Sequence, residues 1–203
     1  MSSVIASLSQ RAAHCVAALW LCAPLFAQAQ NVAEQFKTVC QSCHGEAGVS
    51  QTALIPSLAG QPSFYAVTQL FLFREGRRAN SLMTAVAKGM SDSDLRAYSE
   101  YIGTLPPPPA QSMDGLNADR MSRGAKLAQE HRCASCHGAD FSGGKQVARL
   151  ATQREDYLLQ TLREFQSGKR LGYTTAMNET LVGLKDDDLP DLAYYLSNAP
   201  RAK

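Results

Sequence analysis

The sequence predicts an all-α protein made of two tandem copies of one helical unit of about 90 residues. Three observations carry this. Cys40-Gln41-Ser42-Cys43-His44-Gly45 recurs as Cys133-Ala134-Ser135-Cys136-His137-Gly138. Residues beyond the motifs recur at offsets of 92 to 94: Leu58-Ala59 answers Leu150-Ala151, Gln61 answers Gln153, Tyr65 answers Tyr157 and Leu70 answers Leu162. Phe73, Gly76 and Arg78 answer Phe165, Gly168 and Arg170; Asp92, Asp94 and Leu95 answer Asp186, Asp188 and Leu189; Tyr101 answers Tyr195. Each copy also holds segments whose apolar residues fall at helical spacing. Two copies are too few for a solenoid, so a duplicated globular domain is the simpler account.

Composition sets the limits. A chain of 203 residues allows one or two domains, and 45% apolar residues exclude wholesale disorder. A formal charge of +2 argues against a nucleic-acid binder. Residues 1–29 read as a secretory signal: Arg11 is the lone charge, Ala12 to Ala27 is mostly apolar, and Ala27-Gln28-Ala29 has the small-x-small form of a cleavage site. A membrane anchor is the alternative, but the run is short for a span of about 20 residues and no positive cluster flanks it. Lipidation at Cys22 is a further alternative, opposed by the bulk of Leu21. Cleavage after Ala29 removes Cys15, Cys22, His14 and Trp20, leaving four cysteines and three histidines in an exported chain.

The first domain is placed at 30–105. Val32 to Val39 reads as a helix entering the first motif. Phe64 to Arg74 reads as a second, with Tyr65, Gln69-Leu70 and Phe73 at helical spacing. Ser91 to Gly103 reads as a third, with Ser91 as N-cap, Asp92 and Asp94 in the first turn, and a stripe of Leu95, Tyr98, Tyr101 and Ile102. Residues 106–112 form a linker in which four consecutive prolines, Pro106 to Pro109, span about 12 Å at roughly 3.1 Å each, so the two domains touch. In the second domain, 113–203, the helices fall at Ala118 to Arg132, Asp156 to Phe165 and Asp187 to Ser197. With Asp187 as N-cap, Pro190 takes the third helical position, where its missing donor costs nothing.

Each Cys-x-x-Cys-His is the attachment signal of a c-type haem. Two cysteines three apart on a helical turn face the same way and reach the two vinyl groups of one haem edge. The histidine that follows ligates the iron. A redox dithiol or half a zinc site would suit a lone Cys-x-x-Cys, but histidine follows both times and no further cysteine remains. The chain thus binds two covalent haem c groups through Cys40, Cys43, His44, Cys133, Cys136 and His137, and no disulfide is expected. An electron carrier needs a sixth iron ligand from the protein, usually methionine. Met83 aligns with Met177, whereas Met90 aligns with Leu184, so Met83 and Met177 are chosen as iron ligands beside His44 and His137. Met90, Met113 and Met121 read as packing residues.

Weaker candidates surround these. The Pro56 carbonyl is placed to accept a hydrogen bond from the His44 ring, and Ala148 stands in for it in the second copy. Tyr65, Tyr157 and Tyr173 are either core residues or neighbours of haem edges and propionates. Arg74, Arg77, Arg78, Lys169 and Arg170 pair with propionates or a partner, or, for most of them, lie on a solvated surface. His131 reads as an exposed helix-end histidine.

The tandem motifs, together with Leu58-Ala59-Gly60-Gln61, Tyr65, Gln69-Leu70, Phe73-Arg74, Gly76, Met83 and Gly89-Met90-Ser91-Asp92, resemble the dihaem cytochrome c4 family over essentially the whole mature chain. The resemblance implies two class I cytochrome c domains facing each other around a pseudo-twofold axis. It also implies His/Met haems and a periplasmic electron-carrier role, without catalysis, toward membrane respiratory complexes. Those partners are a quinol–cytochrome c oxidoreductase and a terminal oxidase, met by a monomer with peripheral membrane association at most. A cytochrome subunit or dedicated acceptor of a periplasmic dehydrogenase is the second reading, and a dihaem peroxidase the third. A peroxidase needs a releasable iron position, which matched methionines argue against. The second half departs from the pattern at Ala148, Thr152, Gln166 and Pro190.

Overall fold

A computed structural model describes residues 32–110, 112, 114–170 and 175–199. The segment expected to be a signal with its expected cleavage site, and Met113 and Tyr173, lie outside the described residues. Among the described residues there is no strand, only one isolated bridge between Gly144 and Val147, and no helix is long and apolar enough to cross a membrane. The first half contains α1 (Gln41–His44), α2 (Ser63–Arg74), α3 (Ser81–Ala87) and α4 (Asp92–Thr104). The second contains α5 (Ala118–Glu130), α6 (Ala134–His137), α7 (Glu155–Gln166), α8 (Ala176–Thr180) and α9 (Leu189–Ser197).

The chain enters the two motifs differently. Residues 32–35 are helical and pass into a π turn at Phe36–Cys40, where the Gln41 N–H bonds the Phe36 carbonyl. The expected uninterrupted helix over 32–39 therefore widens in its second half, as helices often do at functional sites. In the second copy α5 stops at Glu130 rather than Arg132, because Arg132 adopts a left-handed φ of 52°. Phe36 lies four residues before Cys40 and Ala128 five before Cys133, so the left-handed Arg132 absorbs one extra residue.

Ser91 does cap α4: its hydroxyl accepts from the Asp94 N–H while the Asp94 carboxylate accepts from the Ser91 N–H, a complete capping box. The last helix starts later than expected. Asp186–Asp188 wind as a 3₁₀ turn, Asp188 takes the N-cap place assigned to Asp187, and Pro190 falls at the second helical position. Its fixed φ and missing N–H suit either place in a first turn.

Each half has its own buried cluster: Phe36, Ala66, Tyr98 and Ile102 in the first, and Ala128, Phe141, Leu158, Leu162, Phe165, Leu181, Leu184 and the apolar face of α9 in the second. Matched positions in these cores have exchanged size. In the first half Phe36 packs edge-on against Tyr101, with ring centroids 5.1 Å apart, and its ring tip sits over Gly48. In the second, small Ala128 replaces the helix phenylalanine, and Phe141, at the Gly48 position, meets Tyr195 edge-on at 5.8 Å. Gly48 and Phe141 play the same backbone part, each carbonyl accepting two N–H groups, from Leu58 and Ala59 or from Leu150 and Ala151. α9 approaches α5 so closely at Gly124 that a Cβ there would strike the Asp191 backbone and Tyr195.

The halves join by a reciprocal set of hydrogen bonds. The Gln61 amide donates to the Arg149 carbonyl (3.0 Å) and accepts from the Arg149 N–H (3.1 Å). The Gln153 amide donates to the Ser57 carbonyl (2.9 Å) and accepts from the Ser57 N–H (2.8 Å). Both glutamines are buried, and both members of each equivalent pair are 92 residues apart. The proline segment is no free spacer, since Pro107 lies directly against Gly60.

Candidate haem centres

The short helices α1 and α6 carry the two motifs. His44 and His137 are each 7% exposed, and each ring Nδ1 donates to a backbone carbonyl at 2.8 Å, Pro56 for His44 and Ala148 for His137. These are the carbonyls anticipated from the sequence, and the change from proline to alanine leaves the bond length unaltered. With Nδ1–H committed, Nε2 carries the free lone pair. Burial pushes both imidazoles below their ordinary values, partly opposed by the carbonyl bonds, so both rings are neutral at pH 7. A neutral ring with its second nitrogen hydrogen-bonded is the form that ligates a metal.

Among the described residues the four motif cysteines are unpaired. Cys40 and Cys133 are half-buried against their cores, and Cys43 and Cys136 are exposed. Burial raises the Cys40 thiol to about 11 and moves Cys133 in the same direction. The hydroxyls of Ser42 and Ser135 lie 3.9 and 3.8 Å from the sulfurs of Cys43 and Cys136, so the motifs agree in detail.

The methionines lie on two helices that periodicity did not reveal, because seven and five residues are too few to show it. Met83 is half-buried in α3, its N–H bound to the Asn80 side chain, which caps that helix. Met177 is half-buried in α8 and packs against the second core. Met90 packs against the first core, and its counterpart Leu184 is buried in the second. Both make packing contacts with their cores, as Met177 does.

Two sequence readings are corrected here. His131 is not an exposed helix end: it is half-buried, and its Nδ1 donates to the Thr180 carbonyl at 2.8 Å. Arg78 and Arg170 are not solvated surface. Arg170, 6% exposed, stacks on Phe165, binds Thr161 and donates to the Tyr65 hydroxyl across the interface. Arg78 stacks on Phe73, binds Gln69 and donates to the Tyr157 hydroxyl at 2.8 Å. Burial raises the Tyr157 hydroxyl, but the two guanidiniums lower it by more, to about 7. The sequence signal was present, since these arginines and tyrosines recur between copies, with Thr161 standing where the first copy has Gln69, but their reach into the other copy was missed. Arg74 is also tied down, to Asp92, Glu75 and the Met90 carbonyl.

Comparison with known proteins resolves what this arrangement belongs to. Residues 121–200 match the family model for cytochrome c, and residues 27–102 match that for cytochrome c oxidase, cbb3-type, subunit III. The chain is 31% identical over 169 residues to cytochrome c4 of Thiocapsa roseopersicina, covering 78% of this chain and 85% of that protein. The chain belongs to the dihaem cytochrome c4 family. The solved cytochrome c4 of Acidithiobacillus ferrooxidans matches with a TM-score of 0.69 and 30% identity, over 79% of this chain and 99% of that one. The thiosulfate dehydrogenase electron acceptor of Stutzerimonas stutzeri is 29% identical over 83% of this chain and 82% of its own length. As a cytochrome c4, the chain is an electron-transfer protein of two tandem class I cytochrome c domains with two covalently attached haem c groups. Its own side chains fit that cofactor: each half offers two unpaired thiols one helical turn apart and a buried neutral imidazole with Nε2 free.

Proposed function

We propose that the chain is exported by cleavage after Ala29 and works in the periplasm as an electron carrier, without catalysis, between membrane respiratory complexes, delivering electrons toward a terminal oxidase. The observation that carries this is the pairing of two equivalent histidine pockets across one reciprocal hydrogen-bonded interface. The domains run over 30–105 and 113–203, joined by 106–112. Cys40, Cys43, Cys133 and Cys136 supply the thioether sulfurs, and His44, Met83, His137 and Met177 the axial ligands. When bound, each haem supplies a one-electron couple whose potential a methionine ligand raises. Pro56 and Ala148 fix the imidazole tautomers, the two cores exclude water, and Gln61 and Gln153 hold one half against the other, which keeps the separation of the centres constant.

A second reading is favoured by the relative named as a thiosulfate dehydrogenase electron acceptor: the chain serves as dedicated acceptor of a periplasmic dehydrogenase. Stopped-flow mixing with purified partners from the same cell separates the two. Rapid oxidation by an oxidase, without a stable complex, supports the carrier, and a stable dehydrogenase complex supports the acceptor. The ligand set is tested by haem stoichiometry, expected to be two per chain by pyridine haemochrome. Met83→Ala and Met177→Ala should each remove half of the far-red sulfur-to-iron band. Loss of the band in Met90→Ala instead would refute the ligand choice.

A further inference from the structure

The two methionine helices are secured by different means. α3 has seven residues, an Asn80 cap on the Met83 N–H, and Ala87 fully buried at its end. α8 has five residues, no side-chain cap at Thr175, and no fully buried residue. A helix this short is almost all terminus, so its carbonyls need partners from outside. The Thr180 carbonyl finds one in His131, whose Nδ1–H donates at 2.8 Å from the turn that leads into Cys133. Among the described residues the first half has no such bond. At the matching positions stand Val39 and Val86, both exposed apolar side chains with no donor to offer.

We propose that His131 is a positioning residue for Met177: its hydrogen bond to Thr180 fastens the methionine helix of the second half to the segment carrying that half's haem-binding cysteines. This rests on the proposed role of Met177 as iron ligand. Other bonds tie this region to α7: the Asn178 amide, within α8, donates to the Phe165 carbonyl, and the Gln166 amide donates to the Leu184 carbonyl. Only His131 ties α8 directly to the cysteine-bearing segment among the hydrogen bonds of the described residues. Because the role is hydrogen-bond donation from Nδ1, asparagine, whose amide nitrogen occupies nearly the same place, should replace it, and leucine should not.

The test uses the full-length, two-haem protein carrying Met83→Ala, so that the remaining sulfur-to-iron band belongs to the second haem. Imidazole is added to the ferric protein as a competitor for the iron position, and loss of the band is followed. His131→Leu should raise the apparent affinity for imidazole about fivefold to tenfold, the worth of one net hydrogen bond. His131→Asn should stay within about twofold of the parent. Equal imidazole affinity in the leucine variant, or failure of asparagine to restore it, overturns the proposal. Haem stoichiometry checks that each variant has folded around its cofactors, and a displacement of Thr180 seen by amide exchange, absent in the asparagine variant, gives a readout independent of the iron. Met177→Ala, measured separately, tests the ligand reading: a retained second-haem band there refutes that reading rather than the hydrogen bond.

Discussion

If Phe36 and Phe141 fill the same space from opposite sides, moving the ring within the second half should restore what its removal destroys. Phe141 is 5% exposed, meets Tyr195 edge-on, and holds a left-handed φ of 54°. Truncating a buried phenylalanine costs about 3–5 kcal/mol. Phe141→Gly regains about 1–2 kcal/mol of that by relieving the left-handed backbone, for a net loss of roughly 1–4 kcal/mol. Ala128→Phe alone forces a second ring into a filled cluster and costs about 1–3 kcal/mol. Independent effects would sum to about 2–7 kcal/mol. The double variant instead rebuilds the arrangement of Phe36 over Gly48, so it should lie within about 1 kcal/mol of the parent, a coupling of at least about 1 kcal/mol. Urea unfolding of the two-haem protein, followed by helical circular dichroism at matched haem content, measures all three. A double variant as unstable as the sum of the singles would show that the rings do not share one space.

Other outcomes follow from the interface and from the charged groups. Gln153→Ala leaves the buried Ser57 N–H and C=O without their partner, at about 1–3 kcal/mol per group, Gln61→Ala removes the matching pair of bonds from half-buried Arg149, and each should separate one calorimetric transition into two; one unchanged transition would refute the clamp. The Tyr157 hydroxyl is displaced downward, so its ionised form is favoured by folding. Its contribution to stability is complete above the ordinary tyrosine value near 10 and is lost as pH falls through about 7. Carbon-13 resonances of labelled tyrosine should show one phenol titrating early, and Tyr157→Phe should erase it. Asp191 is held below the ordinary carboxylate range by the Arg123 guanidinium, with Arg120 adding to this against burial. The tie it makes between α5 and α9 is present above that range and lost as pH falls through the depressed value, so Asp191→Asn should flatten the acid limb of a stability–pH curve.

The fold was legible because long helices advertise themselves. α2, α4, α5, α7 and α9 bury stripes at helical spacing, and Ser91 with Asp94 announces its helix. The motifs gave the two histidines outright, and the repeat gave Pro56 and Ala148 as their acceptors. Short elements escaped, since α3 and α8 have too few residues for a period, although Asn80 before Met83 was a usable cap signal. His131 was misread because a polar residue at a helix end is ordinarily solvated, and only tertiary contact brings Thr180 to it. Arg170 was misread for the same reason: a lone arginine carries no mark of burial until its aromatic shelf and its cross-interface tyrosine are in place.

The placement of insertions between the copies has a physical cause in this interface. Ser57, Gln61, Tyr65, Gln69 and Arg78 all correspond to residues 92 later, and these residues form the reciprocal contacts or support them. The offset rises to 93 at the motifs and to 94 from the methionine onward, outside this stretch. Apolar core positions tolerate exchange, as Phe36 and Phe141 show, because a cluster needs volume more than any given source of it. The glutamine clamps have no such freedom. Each amide spans the donor and acceptor of one residue in the other half, so a one-residue slip on either side would unpair both bonds in a buried place. A single shift within 57–78 would therefore cost several hydrogen bonds at once, whereas an extra residue at Arg132 costs only one left-handed φ. The segment of constant offset is the one whose register holds the two halves together, and an insertion there should free the halves from each other while leaving both histidine pockets intact.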